Sequence, residues 1–239
     1  MRIAVIPARG GSKRIPRKNI KAFCGKPMIA WSIEAALQSD CFDRVIVSTD
    51  DAEIAEVARQ WGAQVPFVRP AELSDDYTGT TAVVAHAVDW FAAQGGAPAQ
   101  VCCIYATAPF LAAEDLRQGL AVLMETGCDY VFSATSYAFP VQRAICISEN
   151  DRVQMFSPEL FHVRSQDLRE AFHDAGQFYW GQAAAWQANK IIFGPDSGIV
   201  RLPRYRVQDI DNDEDWQMAE YLFHAMQLGV GNAGEKDDS

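Results

Sequence analysis

The chain has 239 residues, of which 49% are hydrophobic, and its 21 basic and 31 acidic side chains give a formal net charge of −10. This excess of acid argues against nonspecific binding to nucleic acid or to an anionic membrane. No apolar run approaches the ~20 residues that cross a bilayer, and no signal-peptide core follows Met1, so we expect a cytoplasmic protein. The six cysteines lack C-x-x-C spacing and are predicted to be buried thiols.

Up to about residue 135, short apolar runs alternate with helical patterns, which is typical of βαβ units and a mainly parallel sheet. The predicted strands are 2–7, 43–48, 64–68, 101–105 and 129–134, and the predicted helices are 27–39, 51–61, 79–93 and 113–125. Before the second of these helices, Asp50 and Glu53 have the spacing of a capping box, which favours capping over chemistry for these acids. The pattern predicts an α/β fold, with residues 1–228 in one domain.

The alternation stops after Thr135. Residues 136–177 contain Pro140 and Pro158 without a helical or strand period, and the segment is too long for a plain loop, so we interpret it as a functional insertion, a dimerisation arm, or both. Strands are then predicted at 178–185 and 204–209, followed by an amphipathic helix at 212–228. The tail at 229–239 is predicted to be disordered.

The first strand runs directly into a loop with two glycines and five basic side chains. These are Gly10 and Gly11, with Arg9, Lys13, Arg14, Arg17 and Lys18. The carboxyl edge of an open α/β sheet is the usual ligand crevice, and glycines let the backbone approach an anion closely. The spacing matches neither G-x-x-x-x-G-K-[ST] nor G-x-G-x-x-G, which argues against a P-loop and an NAD-binding Rossmann enzyme. In an acidic chain, this local cluster predicts a loop that binds polyphosphate.

Two carboxylates, Asp209 and Asp211, flank Ile210 at the end of the last predicted strand. The period of two places both on one face, where their oxygens can share a Mg²⁺ ion. Alternatively, Asp211 or Asn212 is the N-cap of the last helix, which leaves Asp209 unexplained. A phosphate loop and a carboxylate pair together suggest nucleotidyl transfer, in which a hydroxyl attacks the α-phosphate and pyrophosphate leaves.

Several motifs resemble those of the cytidylyltransferases that make CMP-activated nonulosonic acids, over about residues 1–228. They are Arg9-Gly10-Gly11-Ser12-Lys13, Pro16-Arg17-Lys18-Asn19, Ser48-Thr49-Asp50, Arg69-Pro70, and Asp209-Ile210-Asp211 with Asp215. The segments 104–110, 164–168 and 173–180 resemble the pseudaminic acid branch of that family. The resemblance implies a Rossmann-like, GT-A-like nucleotidyltransferase fold, CTP and a nonulosonic acid as substrates, Mg²⁺ as cofactor, and a homodimer formed through the 136–177 excursion.

The resemblance also implies roles for individual residues. Arg9 and Lys13 would bind the triphosphate and stabilise the departing pyrophosphate, while Asp209 and Asp211 would bind Mg²⁺. Asp211 would also position or deprotonate the attacking hydroxyl. The implied nucleotide site is Ala8, Arg9, Gly10, Gly11, Ser12, Lys13, Lys18, Asn19, Arg69 and Thr80.

The implied sugar site consists of Tyr105, Arg164, Gln166, Gln177 and Tyr179. A surface ion pair with Asp167 is the alternative for Arg164, and core packing is the alternative for Tyr179. Sialic acid enzymes have a glutamine where this chain has Tyr105, which favours pseudaminic acid as the acceptor. The alternatives are the synthesis of CMP-sialic or CMP-legionaminic acid, the synthesis of CMP-Kdo or a nucleotide diphosphate sugar, and a catalytically silent nucleotide-binding module.

Overall fold

The computed structural model describes residues 1–75 and 77–233, with side chains through residue 228. The strands are β1 (Arg2–Pro7), β2 (Ala22–Phe23), β3 (Lys26–Pro27), β4 (Arg44–Ser48), β5 (Gln100–Ile104), β6 (Tyr130–Ser136), β7 (Ile145–Ile147), β8 (Val153–Met155), β9 (Phe172–Gln182) and β10 (Ser197–Arg201). The helices are α1 (Met28–Gln38), α2 (Ala52–Gln60), α3 (Thr80–Ala93), α4 (Ala113–Thr126), α5 (Ala183–Gln187) and α6 (Asp213–Ala233).

Six strands form the central sheet in the order β10-β6-β9-β5-β1-β4. The pairs that involve β9 are antiparallel, and the remaining pairs are parallel. Side chains of β1 alternate between the two faces: Ala4 and Ile6 join the core with α1, α2 and α4, whereas Ile3 and Val5 join the core with α3 and α5. This period of two explains why the buried strands are almost wholly apolar. The sheet confirms the predicted α/β class.

The register of the strands brings the predicted site segments together. Pro7 at the end of β1 pairs with Ser48 at the end of β4, and β5 lies on the other side of β1. The loops that follow these strands therefore leave the same edge of the sheet side by side. A third apolar cluster, which includes Ile15, Phe110, Ile210 and Trp216, packs α6 against this edge.

Two predicted strands are wrong. Of residues 64–68, Gln64 alone pairs, in a single bridge to Ile46, and Pro66 has no N–H to continue a ladder. Residues 204–209 are not a strand: Arg204–Arg206 form a 3₁₀ turn after Pro203. The strand that pairs with β6 at this end of the sheet is β10, which the sequence patterns did not indicate.

Other boundaries also differ. The strand β9 begins at Phe172, so the excursion from 136 ends six residues before the predicted position. The last helix is longer than predicted and extends to Ala233, so the tail predicted at 229–239 overlaps it at 229–233, and 234–239 lie outside the described residues. Within the excursion, β7 and β8 form a hairpin. All six cysteines are free, three of them buried, and no helix in the described part of the chain is long and apolar enough to cross a membrane.

Candidate active site

A cavity of about 360 Å³ opens beyond the carboxyl ends of β1 and β5. Its walls carry five basic and two acidic side chains, in a chain whose net charge is strongly negative. The predicted site residues that line it are Arg9, Ser12, Lys13, Lys18, Asn19, Arg69, Thr80, Tyr105 and Asp211. Arg14 also lines the cavity; it belongs to the basic cluster predicted to bind polyphosphate, although it was not among the individual residues assigned to the nucleotide site.

The basic loop after β1, predicted to bind phosphate, is fixed by hydrogen bonds at both of its ends. The backbone N–H of Ala8 donates to the carbonyl of Ser48 at 2.9 Å, and the side-chain amide of Asn19 donates to the carbonyl of Arg9 at 3.0 Å. Asn19 is buried, so this bond is shielded from water. Ala8 and Asn19 therefore shape the loop through these bonds, and Asn19 also lines the cavity.

Arg17 ties the same loop to the start of α2. Its guanidinium donates to both carboxylate oxygens of Asp51 and to Glu53. Asp51 is the N-cap of α2 and accepts from the backbone N–H groups of Glu53 and Ile54, each at 3.0 Å, so the predicted cap at Asp50 is wrong by one residue. The hydrogen bond from Arg17 is the main reason that the pKa of Asp51 is lowered to about 2.

Asp50 is therefore available to the loop and to Arg69. Its Oδ1 accepts from the N–H of Gly10 at 3.2 Å and from the Arg69 guanidinium at 3.5 Å. Arg69 is only 4% exposed, and burial lowers the pKa of its guanidinium, against the opposing effect of Asp50. Arg69 thus forms a rigid, positively charged wall of the cavity.

The two acids predicted to bind metal lie on either side of a buried residue. Ile210 is 1% exposed, Asp211 lines the cavity, and Asp209 is on the surface next to it. Asp211 lies 3.0 Å from the Arg14 guanidinium and 3.6 Å from the Lys18 ammonium. Partial desolvation and the neighbouring Asp211 carboxylate raise the pKa of Asp209. Among the described residues, no group of three or more His, Cys, Asp or Glu side chains is arranged to hold a metal ion.

The alternative role of Asp211 as a helix cap does not apply. Asn212 caps α6, because its Oδ1 accepts from the N–H of Asp215 at 3.0 Å. Asp215 in turn accepts from the N–H groups of Asp211 and Asn212. This reciprocal capping fixes the backbone of Asp211 and leaves its carboxylate directed to the cavity.

The segment that carries both acids is anchored by a partly buried ion pair. Arg206 donates to the carboxylate of Asp115 at the start of α4 and to the carbonyl of Phe110 at 2.9 Å. The side-chain amide of Gln177 donates to the carbonyl of Arg206 at 2.6 Å. Sequence reasoning missed Arg206 and Asp115, because 91 residues separate them and no local pattern marks the pair.

The residues predicted to bind sugar lie in two places. Tyr105 lines the cavity, and Tyr179 and Gln177 are buried behind it at 4% and 3% exposure. Arg164 and Gln166 are exposed in the excursion, and Arg164 pairs with Asp167 at 2.7 Å, as the surface alternative predicted. Among the described residues, the cavity lining does not include Ala8, Gly10, Gly11, Asp209, Arg164, Gln166, Gln177 or Tyr179.

Comparison with solved structures supports this fold. A CMP-2-keto-3-deoxy-manno-octonic acid synthetase complexed with CTP superposes with a TM-score of 0.68 at 16% identity, over 94% of this chain and 99% of the other. A 4-diphosphocytidyl-2C-methyl-D-erythritol synthase from Anaerococcus prevotii gives 0.65 at 12% identity, over 93% and 96%. The predicted nucleotidyltransferase fold is confirmed.

Sequence comparison places the chain more narrowly. It is 48% identical over 221 residues to a pseudaminic acid cytidylyltransferase of Campylobacter jejuni, covering 92% of this chain and 95% of the relative. It is 34% identical to a CMP-N,N'-diacetyllegionaminic acid synthase of Legionella pneumophila, over 94% and 97%. It is also 34% identical to an N-acylneuraminate cytidylyltransferase of Danio rerio, over 91% of this chain and 49% of the relative. Residues 3–173 match the cytidylyltransferase family model, and the chain belongs to that family.

Proposed function

We propose that this chain transfers CMP from CTP to a nonulosonic acid, with pseudaminic acid as the preferred acceptor, and releases pyrophosphate. The observation that carries the proposal is the cavity that unites Arg9, Lys13, Arg14 and Lys18 with Asp211 in an otherwise acidic chain. Such a site suits a triphosphate whose charge grows on the leaving pyrophosphate. The acceptor is inferred from the 48% identity to the Campylobacter enzyme.

Arg9 and Lys13 bind the triphosphate and stabilise the leaving pyrophosphate in this proposal. Asp211 orients the attacking hydroxyl and accepts its proton. Arg69 and Thr80 hold the nucleoside, and Lys18 supports both the phosphates and Asp211, from which it lies 3.6 Å. The helix α3 begins at Thr80, so its N-terminal backbone N–H groups add a favourable field for an anion in the cavity.

Mg²⁺ is the proposed cofactor, with Asp209 and Asp211 as its protein ligands. Two carboxylates separated by one buried residue form a hard, oxygen-only donor set of the kind that Mg²⁺ prefers, and substrate phosphates complete such sites. Desolvation raises the pKa of Asp209 most, and the neighbouring Asp211 carboxylate raises it further; a bound cation would offset both effects. When bound, Mg²⁺ would neutralise phosphate charge.

The proposed assembly is a cytoplasmic homodimer formed through the excursion. Large apolar side chains on it are highly exposed in the single chain, among them Phe139 at 83%, Phe156 at 69% and Ile147 at 63%. Large exposed apolar side chains concentrated in one segment of the chain support an interface there. Arg164 and Gln166 are exposed on the excursion, and in this proposal they contact the sugar across the interface.

The test is pyrophosphate release from CTP and Mg²⁺ with pseudaminic, legionaminic and N-acetylneuraminic acids offered in parallel. We expect turnover with pseudaminic acid at a kcat/KM about tenfold above the other two, since a misplaced polar group in a buried site costs about 1–3 kcal/mol and 1.4 kcal/mol is about tenfold. Preference for another acid would keep the chemistry and refute the acceptor. Silence with all three would refute the proposed acceptor class.

A further inference from the structure

The stretch that links β10 to α6 carries Asp209 and Asp211 but is not part of the sheet. After the 3₁₀ turn at Arg204–Arg206, residues 207–212 form neither helix nor strand. No strand in the described part of the chain pairs with them. The position of the two acids therefore depends on side-chain contacts, and Arg206 makes several of these just before Asp209.

The Arg206 guanidinium is held by three acceptor atoms on two other segments. It donates to both carboxylate oxygens of Asp115, at the start of α4, and to the carbonyl of Phe110 at 2.9 Å. Its side chain is only 16% exposed, so these charge-assisted bonds are largely shielded from water. A planar guanidinium satisfies such a set in a single orientation, which a lysine ammonium does not impose.

The backbone of Arg206 is held as well, by a side chain of β9. Gln177 lies in a bulge, where β9 advances five residues against two of β6, and bulges commonly redirect side chains next to active sites. Its buried side-chain amide donates to the carbonyl of Arg206 at 2.6 Å. Its own carbonyl accepts from the N–H of Tyr105 at 2.9 Å, and Tyr105 lines the cavity. Gln177 thus ties Arg206 to a wall of the cavity.

We propose that Arg206 is a positioning residue that holds Asp209 and Asp211 beside the cavity, in the orientation that metal binding and proton acceptance require. The inference rests on the proposed function and adds a supporting residue to it. Among the described residues, the lining of the cavity does not include Arg206, so Arg206 acts through the acids and not on the substrates. Groups that orient metal ligands in this indirect way typically alter metal affinity or activity by about 10–100-fold.

The test compares Arg206→Lys and Asp115→Asn with the matched control Arg117→Lys. The lysine at 206 keeps a cation beside Asp115, which limits damage to the fold, but loses the fork that binds several acceptors at once. Asp115→Asn removes the charge and keeps an oxygen for the N–H of Ala112, which donates to Asp115 at 2.9 Å. Arg117 likewise donates to an acid of α4, Glu114, and to two backbone carbonyls, but these bonds join α4 to the end of α1.

The measurements are the Kd of CTP by calorimetry, without metal and with Mn²⁺, and the kcat with pseudaminic acid. In Arg206→Lys and Asp115→Asn, the Kd with Mn²⁺ should rise about tenfold and the kcat should fall about tenfold, because the acids are misplaced. The Kd without metal should stay within about twofold, because the basic side chains of the cavity are kept. Arg117→Lys should resemble the wild type in all three measurements.

An unchanged Kd with Mn²⁺ in Arg206→Lys would overturn the proposal. An equal rise of the two Kd values would also overturn it, because a general structural defect weakens the binding of CTP whether or not a metal is present.

Failure of the proposed function is recognised separately, because the wild type would then release no pyrophosphate with any of the acids. In that case hydrogen exchange of the free protein, followed by mass spectrometry, tests the anchor itself. Amides of residues 207–212 should exchange about tenfold faster in Arg206→Lys than in the wild type, and at the wild-type rate in Arg117→Lys. An unchanged rate in Arg206→Lys would overturn the anchoring role of Arg206.

Discussion

Gly10 lies where the phosphate loop touches the turn after β4. A Cβ atom at this position would lie 2.6 Å from Oδ2 of Asp51, whereas a Cβ at Gly11 would meet nothing within 4 Å. The two glycines therefore have different structural roles, although the sequence analysis gave both the same one, a close approach of the backbone to an anion. Gly10 permits contact with a carboxylate of the protein, and Gly11 leaves open space beside the loop.

Gly10→Ala is expected to destabilise the protein, because the new methyl group displaces Asp51 from its bonds to Arg17. Overpacking of this kind costs about 1–3 kcal/mol, which lowers Tm by roughly 2–4 °C per kcal/mol in a domain of this size. Gly11→Ala serves as the stability control and should leave Tm within about 1 °C. Calorimetric scans of both variants measure their Tm values, and equal values for the two would contradict the packing argument.

Asp211 lines the cavity and lies on the segment that the ion pair between Arg206 and Asp115 anchors. Asp211→Ala removes the side chain that lies 3.0 Å from Arg14 and 3.6 Å from Lys18. We expect a loss of at least about 100-fold in kcat, of the size seen when a catalytic proton acceptor is removed. Binding of CTP should remain measurable by calorimetry because the basic side chains are kept.

The matched control for Asp211 is Asp213→Ala. Asp213 is 85% exposed and pairs with Lys21 at 3.7 Å on the outer surface, so its loss should change kcat by less than about twofold. Near-normal turnover of Asp211→Ala would contradict both proposed roles of Asp211, as a Mg²⁺ ligand and as the acceptor of the hydroxyl proton. Equal losses in the two variants would point to damage at the start of α6.

At the scale of elements, the start of α2 couples helix capping to the phosphate loop. Asp51 is ordinarily expected to titrate near 3.8, and its pKa is lowered to about 2 by Arg17. A lowered pKa means that the folded state prefers the ionised acid. The resulting stability is present above pH ~4 and is lost as the pH falls toward 2.

The pH prediction is tested with Asp51→Asn, which keeps an N-cap residue but removes the charge. Wild type should be more stable than the variant by about 1–2 kcal/mol at pH 6, and this difference should shrink to roughly one third of that value by pH 2.5, because pH 2.5 still lies above the folded-state pKa. Urea unfolding of both proteins at the two pH values measures it. A difference that stays constant with pH would show that Arg17 does not stabilise the ionised carboxylate.

The strand β9 shows how packing overrides a local pattern. The sequence predicted strand 178–185, but the strand starts at Phe172 and ends at Gln182, where α5 begins. Residues 173–177 include polar side chains and a glycine, so their sequence shows no strand pattern. They are held in place by the bulge against β6, where Ser133 accepts from the N–H groups of Gln177 and Phe178. Only the partner strand makes this segment extended.

For the whole molecule, the uneven distribution of charge matters most. The chain carries −10 overall, yet its main cavity is predominantly basic. An acidic exterior repels nonspecific polyanions, while the cavity concentrates positive potential where a triphosphate would enter. The binding of CTP should accordingly weaken as ionic strength rises.

The proposed dimer is tested at this same scale. Ile147→Lys with Phe156→Lys places two charges on the exposed apolar surface of the excursion, where they would have to be desolvated in an interface. Light scattering after gel filtration should give a dimer for wild type at micromolar concentration and a monomer for this variant. Ile191→Lys is the control, since Ile191 is 79% exposed but lies outside the excursion. A wild-type monomer would refute the dimer.

The sequence by itself determined the α/β class and the family, and it predicted the phosphate-binding loop and the carboxylate pair. These features can be recognised within short segments, from alternating apolar residues, the positions of glycines and clusters of charged residues. The tertiary structure decided which of the candidate residues share one cavity, which acid caps α2, and how Arg206 pairs with Asp115, far away in sequence. Contacts across 91 residues, as between Arg206 and Asp115, depend on strand order and register, and no local pattern encodes them.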